Sequence, residues 1–105
     1  EFQSGEPRFR WLHARQGASR ELFQAAKEQF ESLAWVVSAD DVINQGWFGP
    51  KVTEAARMRF GDVALVAREP VAFLDAAEVM SIELICRHGS LTADEMYVPA
   101  ISMVT

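Results

Sequence analysis

The stretch GDVALVAR, residues 61–68, decides the fold of this chain. Its centre, residues 63–67, is an unbroken apolar run, which is typical of a strand that is covered on both faces. A Glu-Pro pair then turns the chain, and a second apolar run follows at residues 71–74. The sequence therefore predicts a β-hairpin over residues 62–74.

Upstream of that hairpin, strand-like and helix-like patterns alternate. Residues 8–14 alternate imperfectly between apolar and polar side chains, which predicts a short strand. A helix is predicted to begin with Ser19 as its N-cap and to end before a second strand at residues 34–37, because apolar residues recur between them at helical spacing. These apolar residues are Leu22, Phe23, Ala26, Phe30 and Leu33.

Two capping boxes mark shorter helices. Ser38 and Asp41 open one helix, which Gly46 is placed to close. Thr92 and Glu95 form the other box: the Thr92 hydroxyl is expected to accept from the Glu95 amide, while the Glu95 carboxylate reaches back to the Thr92 amide. Adjacent acidic residues in both first turns are favoured by the helix dipole, so they are interpreted as structural and not as catalytic carboxylates.

These elements predict an α+β fold with an α/β-like rhythm in its first half, in which a small, mostly antiparallel sheet carries one long helix on a face. A further strand is predicted where Met80, Ile82 and Leu84 recur at every second position. The N-terminal EFQSG resembles the remnant of a cleavable tag and also suits a native sequence, so no element is predicted for it.

Composition narrows the class of protein. The formal net charge is −5, and ten basic residues are scattered among fifteen acidic ones, which argues against nucleic acid and anionic membrane as partners. No apolar run is long enough to cross a membrane, and no secretory signal is recognisable. The single cysteine, Cys86, cannot form an intramolecular disulfide, which suits a reducing compartment, so we expect a cytoplasmic protein.

Candidate chemistry is concentrated at one histidine. The common phosphate-loop, zinc-protease and serine-hydrolase motifs are absent, and the only histidines are His13 and His88. His88 precedes Gly89 and the Thr92 box, so it is either a metal ligand held on a turn or a polar residue where a strand ends. Because a zinc site takes three or four protein ligands, this chain alone is not expected to build one. His13 is interpreted as a structural residue of the first strand.

The loop Trp47-Phe48-Gly49-Pro50 places two aromatic residues before two chain-breaking ones. We expect Trp47 and Phe48 to plug the end of the core. The alternative is a non-enzymatic α+β binding or regulatory module that contacts its partner through an exposed aromatic patch at this loop. The exposure of the two rings discriminates between these interpretations.

Four blocks of sequence, taken together, carry a family resemblance. They are GEPRFRWLHAR at 5–15, AWVVSADDVINQGWFGP at 34–50, GDVALVAR at 61–68 and HGSLTADEMYVPAI at 88–101. In this order they resemble bacterial members of the alkaline phosphatase superfamily, in the nucleotide pyrophosphatase and type I phosphodiesterase branch. The resemblance covers nearly the whole chain from Gly5 onward.

The resemblance implies a two-metal phosphoester hydrolase, usually zinc-dependent, in which a metal activates a Thr or Ser nucleophile. In that family the histidine at the position of His88 is the last metal ligand along the chain. The nucleophile and the other ligands lie upstream of the part that this chain resembles. The chain is therefore expected to be a C-terminal fragment of a larger α/β enzyme, without catalytic residues of its own and inactive alone, with zinc as the implied cofactor.

Residues 1–4 are interpreted as a tag remnant or linker. The resemblance also implies that residues 5–75 form an accessory α+β subdomain and that residues 76–105 are a tail that joins the main sheet of the parent enzyme. The expected partner is the remainder of the parent, which takes a phosphoester or nucleotide substrate. Without that remainder, the apolar tail is expected either to pack on the subdomain itself or to pair with a second copy as a homodimer through an exposed edge. The apolar tail residues are Ile82, Leu84, Ile101 and Val104.

Overall fold

The computed structural model describes residues 2–77 and 84–104. Within these ranges, four strands form one antiparallel sheet in the order β1-β2-β4-β3, and the longest helix, α1, packs on one face of it. This confirms the predicted α+β class and the mostly antiparallel sheet. The elements are β1 (Phe2–Glu6), β2 (Phe9–His13), α1 (Ser19–Phe30), β3 (Ala34–Ser38), α2 (Ala39–Asn44), α3 (Glu54–Arg57), β4 (Val63–Ala67) and α4 (Ala93–Met96).

Strand β4 lies in the middle of the sheet, between β2 and β3, and all five of its residues are buried. The apolar run predicted to be a buried strand is confirmed. The predicted hairpin over residues 62–74 is wrong, because both edges of β4 are already paired and leave no place for a following strand. Residues 71–74 form no strand: the Phe73 amide donates to the Pro7 carbonyl at 2.7 Å, and the Phe73 side chain packs on the α1 side of the sheet.

The side chains of β4 alternate between two apolar layers, as the pleat of a strand requires. Val63 and Leu65 pack with Ala26 of α1 in one core cluster. Ala64 and Val66 pack with Trp11 of β2 and with α2 in the second cluster, on the opposite face. A strand in the middle of two layers has no solvent-facing side, which explains why its sequence is apolar throughout.

Strand β1 is an element for which the sequence made no prediction. It pairs with β2 along its full length, from Phe2 opposite His13 to Glu6 opposite Phe9. Strand β2 falls within the predicted 8–14, and β3 extends the predicted 34–37 by one residue. Segment 1–4, interpreted as a tag remnant or linker, thus contributes Phe2, Gln3 and Ser4 to the sheet.

The N-caps of three helices can be compared with the sequence predictions. Ser38 caps α2 as predicted, since its hydroxyl accepts from the Asp41 amide at 3.1 Å. Ser19 is not the N-cap of α1, as was predicted: Ala18 occupies that position, and the Ser19 hydroxyl donates to Asp62 at 2.8 Å. The sequence did not predict α3, a single turn capped by Thr53.

The C-terminal part of the chain is mostly irregular. Of the strand predicted from Met80, Ile82 and Leu84, the first two positions lie outside the described residues, and residues 84–86 form no strand. Between residues 84 and 104, the one regular element is the single turn of α4. This segment nevertheless carries the candidate site.

Candidate functional site: the His88 corner

His88 is exposed, in an irregular segment that precedes a firmly held residue. We call this segment, residues 87–89, the His88 turn because of its glycine. The following Gly89 has φ +104°, in the left-handed region where only glycine lies without strain. Ser90 is buried, and its hydroxyl donates to the Ala67 carbonyl at the end of β4. The turn therefore places the His88 imidazole in solvent while its backbone is anchored, two residues on, to the central strand.

Glu95 makes several of the hydrogen bonds that hold this segment in place. Its carboxylate accepts two hydrogen bonds from the Arg8 guanidinium, from Nε at 2.9 Å and from Nη2 at 2.8 Å. It also accepts from the Ser90 amide at 3.2 Å and from the Thr92 hydroxyl at 2.5 Å. We call Arg8, Ser90, Thr92 and Glu95 the clasp. Because both oxygens of the carboxylate are engaged, the clasp fixes α4 and the His88 turn to the start of β2.

Arg8 extends the clasp to a third segment of the chain. Its Nη1 donates to the carbonyls of Glu69 and Val71, each at 2.7 Å. One guanidinium therefore connects the start of β2, the turn after β4 and the C-terminal helix. Only 10% of the Arg8 side chain and 14% of the Glu95 side chain remain exposed, so the ion pair lies largely out of solvent.

The clasp perturbs the protonation of both partners. The hydrogen bonds from Arg8 lower the pKa of Glu95 from 4.5 to about 2, although burial opposes this shift. The reciprocal hydrogen bond from Glu95 raises the pKa of Arg8 against the same opposing effect of burial. Glu95 is thus ionised throughout the physiological pH range, and the ion pair persists with it.

The predicted capping box at Thr92 is wrong in its contacts. Thr92 does occupy the N-cap of α4, but its side chain caps no helix amide. The hydroxyl donates to the Glu95 carboxylate instead. The physical reason is the buried Arg8 guanidinium, which donates to both carboxylate oxygens of Glu95. These charged hydrogen bonds are stronger than the local bond that Glu95 would make to the Thr92 amide.

His13 has the structural role expected for it. Its Nε2 lies 2.6 Å from the Ser4 hydroxyl, and its ring stacks on Phe2 with 4.0 Å between centroids. Burial lowers the pKa of His13, while the nearby Asp62 carboxylate acts in the opposite direction. These contacts place His13 in the pairing of β1 with β2.

Asp62 has an altered pKa as well. Burial raises its pKa, but hydrogen bonds from the Ala14 amide at 2.9 Å and from Ser19 at 2.8 Å outweigh that effect and lower it. The carboxylate thus ties the end of β2 to the start of α1. Its hydrogen bonds account for its ionisation, so we assign it a structural role.

The side chains that can bind a metal ion are His, Cys, Asp and Glu. Among residues 2–77 and 84–104, no three His, Cys, Asp or Glu side chains gather where they could hold a metal ion. Cys86 is exposed two residues before His88. The described residues therefore fit one imidazole ligand at the His88 turn, and they do not fit a complete zinc site.

The aromatic loop is divided between core and solvent. Trp47 packs edge-on against Phe9, with 6.2 Å between centroids, and its indole donates to Gln45 at 3.1 Å. Phe48 stacks on Phe60 at 4.8 Å and is 48% exposed. Trp47 thus joins the core cluster beside α2, as expected, whereas Phe48 covers the end of the core with one face open to solvent.

Comparison of the chain with protein-family models, with curated proteins and with solved structures found no significant match to any of them. In the part of the chain that the structure describes, no helix combines the length and the apolar character that crossing a membrane requires.

Proposed function

We propose that this chain is the C-terminal portion of a metal-dependent phosphoester hydrolase of the alkaline phosphatase superfamily, with phosphodiesterase, nucleotide pyrophosphatase or phosphatase activity. In this proposal His88 is one metal ligand, and the protein is cytoplasmic. The family resemblance of the four sequence blocks supports the identity of the parent. The observation that carries the role of His88 is its position, exposed on a turn whose next residues are locked to the central strand.

The surroundings of His88 suit a metal-binding side chain. A metal-binding imidazole must keep one ring nitrogen open toward the ion while its backbone is held in place, because a mobile ligand loses more conformational entropy on binding. Gly89 and the clasp supply the rigid backbone, and exposure leaves the ring accessible. When bound, zinc would supply Lewis-acid stabilisation of the charge that develops in phosphoryl transfer.

The proposal assigns the remaining parts of the site to the remainder of the parent enzyme. These are the Thr or Ser nucleophile, the other metal ligands and the pocket for the phosphoester or nucleotide substrate. No residue of this chain is assigned a catalytic role, and the isolated chain is expected to be inactive. Its own contribution is to hold and orient His88.

Zinc titration of the isolated chain tests this assignment. We expect micromolar or weaker affinity, with the resonances of the His88 ring shifting in NMR spectra, because a single imidazole holds zinc poorly without further ligands. The shift should be lost in His88→Ala and retained in His13→Gln. Nanomolar affinity in the isolated chain would contradict the proposal that the other ligands come from elsewhere.

The parent enzyme provides the second test. In the protein encoded by the complete reading frame, His88→Ala should lower both the zinc content and the hydrolysis of bis(p-nitrophenyl) phosphate. Asp94→Asn is the control variant, since Asp94 is exposed and lies in α4, the helical turn that follows the His88 segment. A parent that keeps its zinc and its activity without His88 would overturn the proposed role.

The half-exposed Phe48 ring favours the alternative function, a binding or regulatory module that uses the Trp47-Phe48 loop. Its support is narrower than that of the hydrolase, because Trp47 is already engaged with Phe9 and Gln45. If this alternative holds, Phe48→Ser should abolish partner binding while His88→Ala leaves it unchanged. The hydrolase proposal expects His88→Ala to lower the zinc content of the parent enzyme and Phe48→Ser to leave it unchanged.

A further inference from the structure

Two surfaces of the described chain are largely apolar and open to solvent. The first is the arm, residues 97–104, with the sequence YVPAISMV. It has no helix or strand structure and no charged side chain, and all of its residues are exposed. Its large apolar side chains include Ile101, Met103 and Val104.

The second surface is the β3 groove, which lies beside strand β3. It is an open groove of about 470 Å³, whose lining combines the apolar Trp35, Val37, Trp47 and Leu91 with the polar Asp41 and Gln45. Strand β3 is the last strand on its side of the sheet order, so one of its edges has no neighbouring strand within the described residues. Apolar surface beside an unpaired strand edge is a typical site of strand addition.

The register of the sheet shows which backbone groups this edge offers. The Leu33 carbonyl accepts from the Arg68 amide, and the Ala39 amide donates to the Asp62 carbonyl, both at 2.9 Å and both toward the side of β4. Antiparallel pairs alternate, so odd-numbered residues of β3 bond to β4 and even-numbered ones face away. The N–H and C=O groups of Ala34 and Val36 therefore point outward, ready to pair with an added strand.

The arm has the pattern that this edge requires. In an extended strand, Ile101 and Met103 share one face, while Ser102 and Val104 share the other. Trp35 and Val37 face the groove, so the Ile101 and Met103 side chains would lie over it, with the Met103 thioether against the two indoles. Pro99 has no N–H, but it precedes the residues that would pair, so the added strand loses no hydrogen bond.

We propose that the arm of one copy adds as a strand to the β3 edge of a second copy, and that the exchange is reciprocal. The arm is not packed against its own sheet, since Ile101, Met103 and Val104 are 94%, 84% and 98% exposed. An unpacked arm, and a strand edge without a neighbour among the described residues, are the elements of a symmetric exchange. The two exchanges together must bury roughly 1,600 Å² to reach the size of a standard stable interface.

Neighbouring residues of the arm provide a matched pair of variants. Met103 and Val104 are 84% and 98% exposed, so a glutamate at either position leaves the folded monomer intact. Met103→Glu places a negative charge against the apolar side chains and Asp41 of the groove, whereas Val104→Glu places it on the opposite face. By light scattering across the micromolar range, we expect the unmodified chain and Val104→Glu to dimerise, and Met103→Glu to weaken the dimer by at least tenfold. A monomer at every concentration, or equal effects of the two glutamates, overturns the proposal.

Cross-linking identifies the partner edge and excludes the chain's own groove. In a Cys86→Ser background, the pair Trp35→Cys and Met103→Cys should form disulfides between copies, which a non-reducing gel resolves as a covalent dimer. A disulfide within one chain would show that the arm folds back onto its own β3, and this overturns the exchange. The inference does not depend on the proposed metal role of His88, because none of its variants touches that residue.

Discussion

The clasp allows a quantitative prediction about the corner that carries His88. Glu95→Gln replaces the buried carboxylate by a neutral amide of nearly the same shape, leaving Arg8 without its counter-charge. Asp94→Asn makes the same chemical change one residue earlier, at an exposed carboxylate. The two variants have the same net charge, so any difference between them reports the clasp and not the total charge of the chain.

The size of the effect follows from the pKa of Glu95. Its fall from 4.5 to about 2, at about 1.4 kcal/mol per pH unit, corresponds to ~3 kcal/mol of interaction with the ionised form. Removing one partner of a buried ion pair costs about 3–5 kcal/mol, and the residual exposure of both side chains favours the lower end of that range. We therefore expect Glu95→Gln to lower the free energy of local opening, in which α4 detaches from the sheet, by about 3 kcal/mol.

The pH dependence has a definite sign. Glu95 has a lowered pKa in the folded state, so its contribution is fully present above about 4.5 and is lost as the pH falls toward about 2. The parent chain should lose docking stability in this window. Glu95→Gln carries no titrating group at this position, so its docking stability should lack this component of the pH dependence.

Native-state hydrogen exchange is the suitable assay, because it resolves local opening from global unfolding. The reporters are the amides of Ser90 and Tyr97, which are hydrogen-bonded to Glu95 and Ala93 respectively. Near neutral pH, their protection should fall about a hundredfold in Glu95→Gln, which corresponds to ~3 kcal/mol, and hardly at all in Asp94→Asn. Equal protection in both variants would refute the clasp as the anchor of the corner.

Three further predictions concern the turn, a helix cap and the core. Gly89→Ala should cost about 1 kcal/mol, because alanine is strained at φ +104°, and should broaden the His88 ring resonances in NMR spectra while the far-ultraviolet circular dichroism stays unchanged. Ser38→Ala should lower the free energy of unfolding in urea by about 1 kcal/mol, because α2 loses the hydrogen bond to the Asp41 amide. Ser38→Asp, which retains a cap, should preserve most of that stability. Val66→Ala should cost about 2 kcal/mol of global stability, since Val66 is fully buried in the central strand. An effect no larger than that of Val98→Ala, an exposed position, would contradict its place in the core.

The prediction of the fold from sequence worked where local patterns are strong. Helix α1 and strand β4 were recognisable because one has a regular apolar spacing and the other an unbroken apolar run. A second apolar run, at residues 71–74, led to the wrong prediction of a strand there. Periodicity indicates that a segment is apolar, but it does not indicate whether the neighbouring edge of the sheet is free.

Strand β1 shows a different limit. Strand β1, with the sequence FQSGE, has little strand character of its own, and it forms by pairing with the edge of β2. Strand propensity is largely a property of the neighbours, so an edge strand of weak sequence is hard to detect in isolation.

At the candidate site, the sequence by itself determined the local chemistry: an imidazole beside a glycine, followed by a threonine and a glutamate that start a helical turn. The tertiary structure decided that Glu95 bonds Arg8, 87 residues away along the chain, in preference to the nearby Thr92 amide. The physical reason is that a buried cation and a carboxylate stabilise each other more than a local cap does, and only folding brings them together. The imidazole and its glycine are thus visible in the local sequence, whereas their attachment to the central strand depends on contacts that only the fold makes.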